Sequence, residues 1–376
     1  MTATNSPVPT NPKPRPHARP LGPVLGRLLL GLALLAGGGA AAWTALNTQL
    51  APALSATDTA QAVPLGGART LNASLTTDRA EVQVGALPPT TQGQAAGLAF
   101  HHRQLNSPQV TATRQGDTLN LQAQLLVDPA PKPNTINLQP QGQQVEHRLA
   151  AQLSPGPALD LSTRSGGGEQ QLDLQTLALH SLHTHSTSGP QTVQLPAGQT
   201  GEVALESLSG ALTLSAPAGH ATAIDTLSAE SRFGNLQARL HSAQVGRLTL
   251  TSQLGDIEAQ LPAHNDTALT TAQGDLDVTL PPGASGQLRL QAERGSVTLN
   301  LPATAAFRLS FSRLSNEQTR MQASHLPKGM LYQNGSFLSP AAQAPGRAPV
   351  LEISLDLPIP NDLSLNLLTP QGATQP

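Results

Sequence analysis

One phrase recurs between Leu182 and Pro302: a polar lead-in, a glycine, three apolar residues at alternate positions, then proline. Its clearest copies are Ser252-Gln253-Leu254-Gly255-Asp256-Ile257-Glu258-Ala259-Gln260-Leu261-Pro262 and Thr271-Ala272-Gln273-Gly274-Asp275-Leu276-Asp277-Val278-Thr279-Leu280-Pro281. With glycine as origin the phrase aligns on Gly189, Gly210, Gly234, Gly255, Gly274 and Gly295, successive glycines lying 21, 24, 21, 19 and 21 residues apart. Positions +2, +4 and +6 are apolar throughout, as in Leu236, Ala238 and Leu240, except that the Gly189 copy has Gln191 at +2. Proline follows at +7 in five copies: Pro196, Pro217, Pro262, Pro281 and Pro302.

Alternation with a period of two marks a strand with one buried face. A glycine heading each strand predicts a corner with φ > 0 or with no room for Cβ, and proline ends the strand by removing an amide donor. A weaker strand precedes most corners at −7 and −5, as in Val203/Leu205, Leu248/Leu250 and Leu288/Leu290. Each period therefore reads as strand, glycine corner, strand, proline turn. A unit this short buries too little apolar surface to offset the ordering of its own backbone. Stacked units cover one another and complete their ladders, so the pattern predicts an all-β, single-stack β-solenoid with a period of about 21 residues. An antiparallel sandwich would also alternate, but it does not require glycine and proline in phase.

The rest of the chain divides around this array. Residues 1–23 are Pro-rich and basic without an acid, a composition that predicts a disordered tail. Residues 24–50 contain the uncharged, mostly apolar run Leu28 to Leu46, long enough as a helix to cross a bilayer. The nearby basic residues, Arg27 included, precede it and the first acid is Asp58, which predicts a cytoplasmic amino terminus and an extracytoplasmic remainder. The alternative is a cleaved export signal with Ala53-Leu54-Ser55 as its site. Residues 51–69 read as a linker, 70–158 as a non-repeating β cap, 159–302 as the solenoid with Gly168 heading a first coil, and 303–376 as an irregular carboxy-terminal cap and tail.

Composition narrows the function classes. Charged residues make up 12% and aromatics 2%, so neither a basic footprint nor a stacking platform for bases is present and nucleic acid is not an expected partner. With no cysteine there is no disulfide, no thiolate chemistry and no lipid-anchor cysteine. Serine, histidine and aspartate occur without a nucleophile elbow, and no phosphate-cradling glycine loop is found, so the expectation is a non-enzyme without cofactors.

Two clusters could bind metal. On stacked coils Asp256, Glu258, Asp275 and Asp277 would share one outward patch, where a hard cation such as Ca²⁺ could bridge like charges; alternatively they are solvated, with Asp256 and Asp275 serving the corner. His183 and His185 should point outward together beside His180, a spacing open to zinc or copper but equally ordinary polar surface. A sugar-cleaving carboxylate pair lacks an aromatic subsite nearby.

The run Gly166-Gly-Gly-Glu-Gln-Gln-Leu-Asp-Leu174, the Ser188-Gly189 to Pro196 segment and the Gly-Asp-Ile/Leu phrases at Gly255 and Gly274 resemble the bacterial toast-rack, or putative-adhesin, group of envelope β-solenoids. The resemblance covers about Leu71 to Pro302 and carries no catalytic residues over. It implies an exported module at the bacterial cell envelope, single-pass in the membrane, that binds or senses a protein or wall polymer. Some such proteins are associated with envelope-stress signalling; an adhesin-like or self-associating scaffold is the alternative. The expected contact face is the outward +5 stripe, Gln194, Ser215, Arg239, Gln260, Thr279 and Asn300.

Overall fold

In the computed structural model of the chain, the described residues are 56–103, 106–127, 146–218, 221–315, 318–319, 326–344, 350–357 and 363–368. The expected tail, the apolar segment 24–50 and its alternative cleavage site lie outside them. Among the described residues no helix is long and apolar enough to cross a membrane.

Alternation becomes two facing sheets, of 12 and 14 strands. Each coil places its longer strand in the larger sheet, turns at the glycine and places a four- to six-residue strand in the smaller one. In the Gly255 coil these strands are Ala243–Leu254 and Ile257–Gln260. Successive coils pair parallel and in register: Leu236 faces Ile257, which faces Leu276, which faces Val297. All four are buried, and the leucines and valines of both sheets form one continuous core. Ladder bonds repeat from coil to coil: the amides of Leu236, Ile257 and Leu276 donate to the carbonyls of Asp256, Asp275 and Ser296 at 2.8–2.9 Å.

The corners show why this position is glycine. A Cβ built on Gly189, Gly210, Gly234, Gly255, Gly274 or Gly295 would lie 2.0–2.4 Å from the carbonyl oxygen of the preceding coil's glycine. Gly274 has φ 151°, but Gly234 is not among the positive-φ residues and meets the same carbonyl at 2.2 Å. Close stacking of backbone on backbone, more than the dihedral, excludes a side chain there.

Three boundaries differ from the sequence reading. Residues 70–158 are not a separate cap: Thr70–Thr77 with Glu81–Ala86, and Thr118–Leu125 with Arg148–Leu153, are rungs of the same solenoid. Their order along the stack is not their order in the chain, because Thr70–Thr77 pairs with Thr118–Leu125 on one side and Ala158–Ser165 on the other. The corner there ends at Ala80, not glycine. Its carbonyl takes the place of a glycine's beneath the next corner: a Cβ built on Gly168 would lie 2.7 Å from the Ala80 oxygen, and on the other side Glu81 donates to the His147 carbonyl at 2.9 Å. Second, the expected linker contains a strand, Ala56–Pro64, paired antiparallel with Gln94–Arg103. Third, within 303–376 the strands Leu351–Asp356 and Leu363–Leu368 add another rung in register, while Phe307–Phe311, Ser336–Leu338 and Leu331–Gln333 prolong the larger sheet.

Candidate binding face

Outward-pointing side chains on a stacked coil form straight columns because every rung repeats the same register. The +5 column runs across the smaller sheet as Asp173, Gln194, Ser215, Arg239, Gln260, Thr279, Asn300 and Asn366, each Cα paired with the next. At one end neighbours bond along it, Asn300 Nδ2 donating to Thr279 Oγ1 at 3.3 Å and Asn366 Nδ2 to Asn300 Oδ1 at 2.9 Å, while Gln194 accepts from Gln175, outside the column. The result is a row of amides and hydroxyls with Arg239 exposed near its middle. A shallow groove of about 440 Å³ opens on the outer face of this sheet nearer its amino-terminal end, between Gln83, Gln152, Gln171 and Gln194.

The four carboxylates occupy two columns with different duties. Asp256 Oδ1 accepts from the amide of Asp275 at 2.9 Å, and Asp275 Oδ1 accepts from the amide of Ser296 at 2.7 Å; Asn235 does the same for Asp256 at 3.0 Å. This ladder ties each corner to the next. Glu258 and Asp277 sit side by side in the neighbouring column, Glu258 accepting from Gln237 at 2.8 Å and Asp277 from Asn300 at 2.9 Å. Among the described residues no three His, Cys, Asp or Glu side chains converge in a way that could hold a metal ion.

Burial pushes the pKa of Asp277 above the ordinary aspartate value, and the adjacent Glu258 carboxylate pushes the same way against the Asn300 hydrogen bond. A raised folded-state pKa means that this group's contribution to stability is lost as pH rises through the carboxylate range. Asp277→Asn should therefore melt slightly higher than the parent at pH 7, the gap closing as pH falls through that range; calorimetric melts across a pH series check it.

His183 and His185 share the outer face, and the histidines have different partners. His180 Nδ1 contacts Asp160 at 2.8 Å and His185 Nδ1 contacts Glu206 at 3.1 Å, while His183 is exposed between buried Leu182 and Thr184. A second group, not singled out by spacing, forms at the amino-terminal end. His102 is buried, with Nδ1 bonded to the Arg103 carbonyl at 2.7 Å and Nε2 to Thr59 Oγ1 at 3.3 Å. Beside it, burial first and then Arg103 and His102 hold His147 below the ordinary histidine range, with Asp78 opposing. The unfolded chain then takes up more protons as pH falls through that range, so stability drops with pH. Thermal melts between pH 7 and 5 should show this loss, and His147→Gln should make it smaller.

Two sets of buried polar bonds were not legible in the sequence, although Gln191 stood out there as an exception at +2. Gln170 and Gln191, in the +2 positions of the first two coils, are fully buried. Thr163 donates to Gln170 Oε1 at 2.7 Å and Thr184 to Gln191 Oε1 at 2.8 Å, while the amide nitrogens donate to the next coil's carbonyls, His185 at 2.9 Å and Glu206 at 2.6 Å. Three residues before the corner, Ser207, Ser231, Ser252 and Thr271 are also buried, and donate to glycine carbonyls: Ser231 to its own coil's Gly234 at 2.8 Å, Thr271 to the preceding coil's Gly255 at 3.3 Å. The signal was present as Ser/Thr-x-x-Gly ahead of every corner from Gly189 to Gly274, the Gly295 corner having Ala292 there.

Fold and face together define a parallel two-sheet β-solenoid with an open, polar, laddered surface. The sequence matches the family described as Toastrack DUF4097 over residues 135–325, more than half of the chain, and the protein belongs to that family. Among curated proteins nothing matches it. Solved structures similar to it include a putative adhesin from Bacteroides fragilis, with 13% identity and a TM-score of 0.38 over 66% of this chain and 97% of that one. A putative cell adhesion protein from Clostridium sporogenes has 8% identity and a TM-score of 0.21 over 84% of this chain and 100% of that one. A putative adhesin from Parabacteroides distasonis has 10% identity and a TM-score of 0.20 over 65% and 85%. At these values the likenesses assign no role to any residue.

Proposed function

We infer that the protein is a non-catalytic, adhesin-like binding module at the bacterial cell envelope, held by residues 24–50 as a single-pass anchor with its amino terminus in the cytoplasm. The observation that carries the binding reading is the in-register +5 column. It offers hydrogen-bonding groups at every rung of a broad open sheet, the geometry that suits an extended ligand, wall polymer or the surface of an envelope protein, better than a small enclosed substrate. The anchor reading rests on the length of the apolar run and the position of the basic residues. Partnership with an envelope-stress sensor is a second reading, drawn from the family's association with such systems.

Co-sedimentation of the full chain with purified, insoluble cell-wall material tests the polymer arm, and mild crosslinking in intact membranes tests the protein arm. Arg239→Ala combined with Gln260→Ala should weaken retention in whichever arm is positive while leaving the melting curve in place, since Arg239 is exposed and Gln260 half-buried on the outer face. Retention unaffected by that pair, or absent in both arms, rules the face out. Recovery of the chain in the soluble fraction at reduced mass would replace the anchor with a cleaved signal.

A further inference from the structure

The outer face of the larger sheet carries a polar trough toward its amino-terminal end. One part, of about 400 Å³, is lined by Ser162, Arg164, His183, His185 and Glu206, and the adjoining part, of about 220 Å³, by Asn120, Gln122 and Asp160; Ser162 and His183 line both. Four of these side chains stand at the corners of a rectangle. Ser162 and Arg164 are alternate outward residues of Ala158–Ser165, His183 and His185 are alternate outward residues of Leu179–Ser186, and the strands pair with Ser162 opposite His183 and Arg164 opposite His185. Ladder spacing and the two-residue repeat make the rectangle roughly 5 by 7 Å. The acids nearby are already engaged: Asp160 accepts from His180 at 2.8 Å and from Ser181 Oγ at 2.5 Å, and Glu206 contacts His185 at 3.1 Å from the far side. Elsewhere on this face Arg247 is paired with Asp266 at 3.7 Å and Arg308 with Glu352 at 3.4 Å. Arg164 instead lies between Thr76 and His185, and among the described residues neither it nor His183 enters an ion pair. Basic groups set side by side without an acid repel one another, and an anion between them removes that cost.

We propose that this rectangle binds the phosphate group of a sugar or polyol phosphate. The Arg164 guanidinium directs a fork of N–H donors at phosphate oxygens, the imidazoles of His183 and His185 donate from the neighbouring strand, and the Ser162 hydroxyl closes the fourth corner. A tetrahedral phosphate can turn three oxygens toward such a flat set of donors, whereas a carboxylate has only two, in one plane. The remainder of the ligand follows the trough. From Ser162 the column continues through Ser74 to Gln122, two strands on and roughly 10 Å away. Gln122 is exposed there beside Asn120, and their amides can both donate to and accept from hydroxyl groups. No aromatic ring lines either part of the trough, so nothing in it stacks on a nucleobase. The site lies on the opposite sheet from the +5 column and does not rest on ligand binding there.

Nuclear magnetic resonance of the full-length chain in detergent, labelled in its histidine rings and held at fixed pH and ionic strength, tests this. Glucose 1-phosphate should shift the ring resonances of His183 and His185 saturably and at lower concentration than inorganic phosphate, while those of His101, which contacts Asp58 outside the trough, stay in place. Arg164→Gln should raise the half-saturating concentration about fivefold or more, and Arg164→Lys should retain part of the binding. Gln122→Ala should remove the advantage over inorganic phosphate. Both positions are exposed, so the melting curve of each variant should match the parent's. No saturable shift at His183, an equal shift at His101, no preference over inorganic phosphate, or indifference to Arg164→Gln overturns the proposal.

Discussion

Gly274→Val is expected to lower stability by more than about 3 kcal/mol, among the largest effects open to a single change in this chain. The added Cβ would lie 2.2 Å from the Gly255 carbonyl oxygen and 2.6 Å from its carbon, both backbone atoms fixed by ladders on either side. Relief requires prying two coils apart, which breaks pairing in both sheets together. Gly283→Ala is the comparison: its φ is 79° but nothing lies within 4 Å of the added carbon, so it should cost only about 1 kcal/mol of backbone strain. Urea or thermal unfolding of the two variants measures the difference, which isolates the stacking contribution. Equal losses would mean that the dihedral, not the neighbouring coil, makes this position glycine.

Breaking the buried Thr184–Gln191 pair is the second large effect. Gln191→Leu matches the apolar residue that the later coils carry at +2, yet it strands the Thr184 hydroxyl in a dry interior and removes the donor to the Glu206 carbonyl. A loss of about 1–3 kcal/mol is expected, the penalty for an unpaired buried polar group. Thr184→Val alone should cost a similar amount by stranding the glutamine oxygen. The double variant should recover much of the sum, because an apolar pair of suitable volume leaves no orphaned side-chain atom at this place. A double-mutant cycle by chemical denaturation measures the coupling. Simple additivity would show that the two side chains do not depend on one another.

The contrast between these positions also shows how far the sequence could be read. Gly274 was legible because its requirement recurs: every coil meets the one before it at the same place, so the same residue returns at nearly the same interval. Gln191 showed only as a departure from the apolar pattern at +2. Its partner Thr184 stands seven residues earlier on the other sheet, and nothing local in a strand says which residue will face it across a core. The carboxylates divide in the same way. Their outward phase followed from alternation, but the assignment of Asp256 and Asp275 to the amides of the next corner came from stacking geometry. The rungs Thr70–Thr77 and Thr118–Leu125 lacked the corner glycine, and so their membership of the array was hidden.

From sequence alone came whatever a period can encode: the two-residue alternation that separates core from surface, the glycine at the repeating corners, the proline that closes most of their turns and the stacking that a unit too small to fold by itself demands. Tertiary structure decided what depends on order and proximity between rungs: the insertion of Thr70–Thr77 between a later strand and the first full coil, the buried glutamine bonds, and the grouping of Arg164 with His183 and His185. The reason is physical. Repetition writes the contacts within and between like coils into the chain many times over, whereas a contact made once, between segments far apart in sequence, leaves no periodic trace.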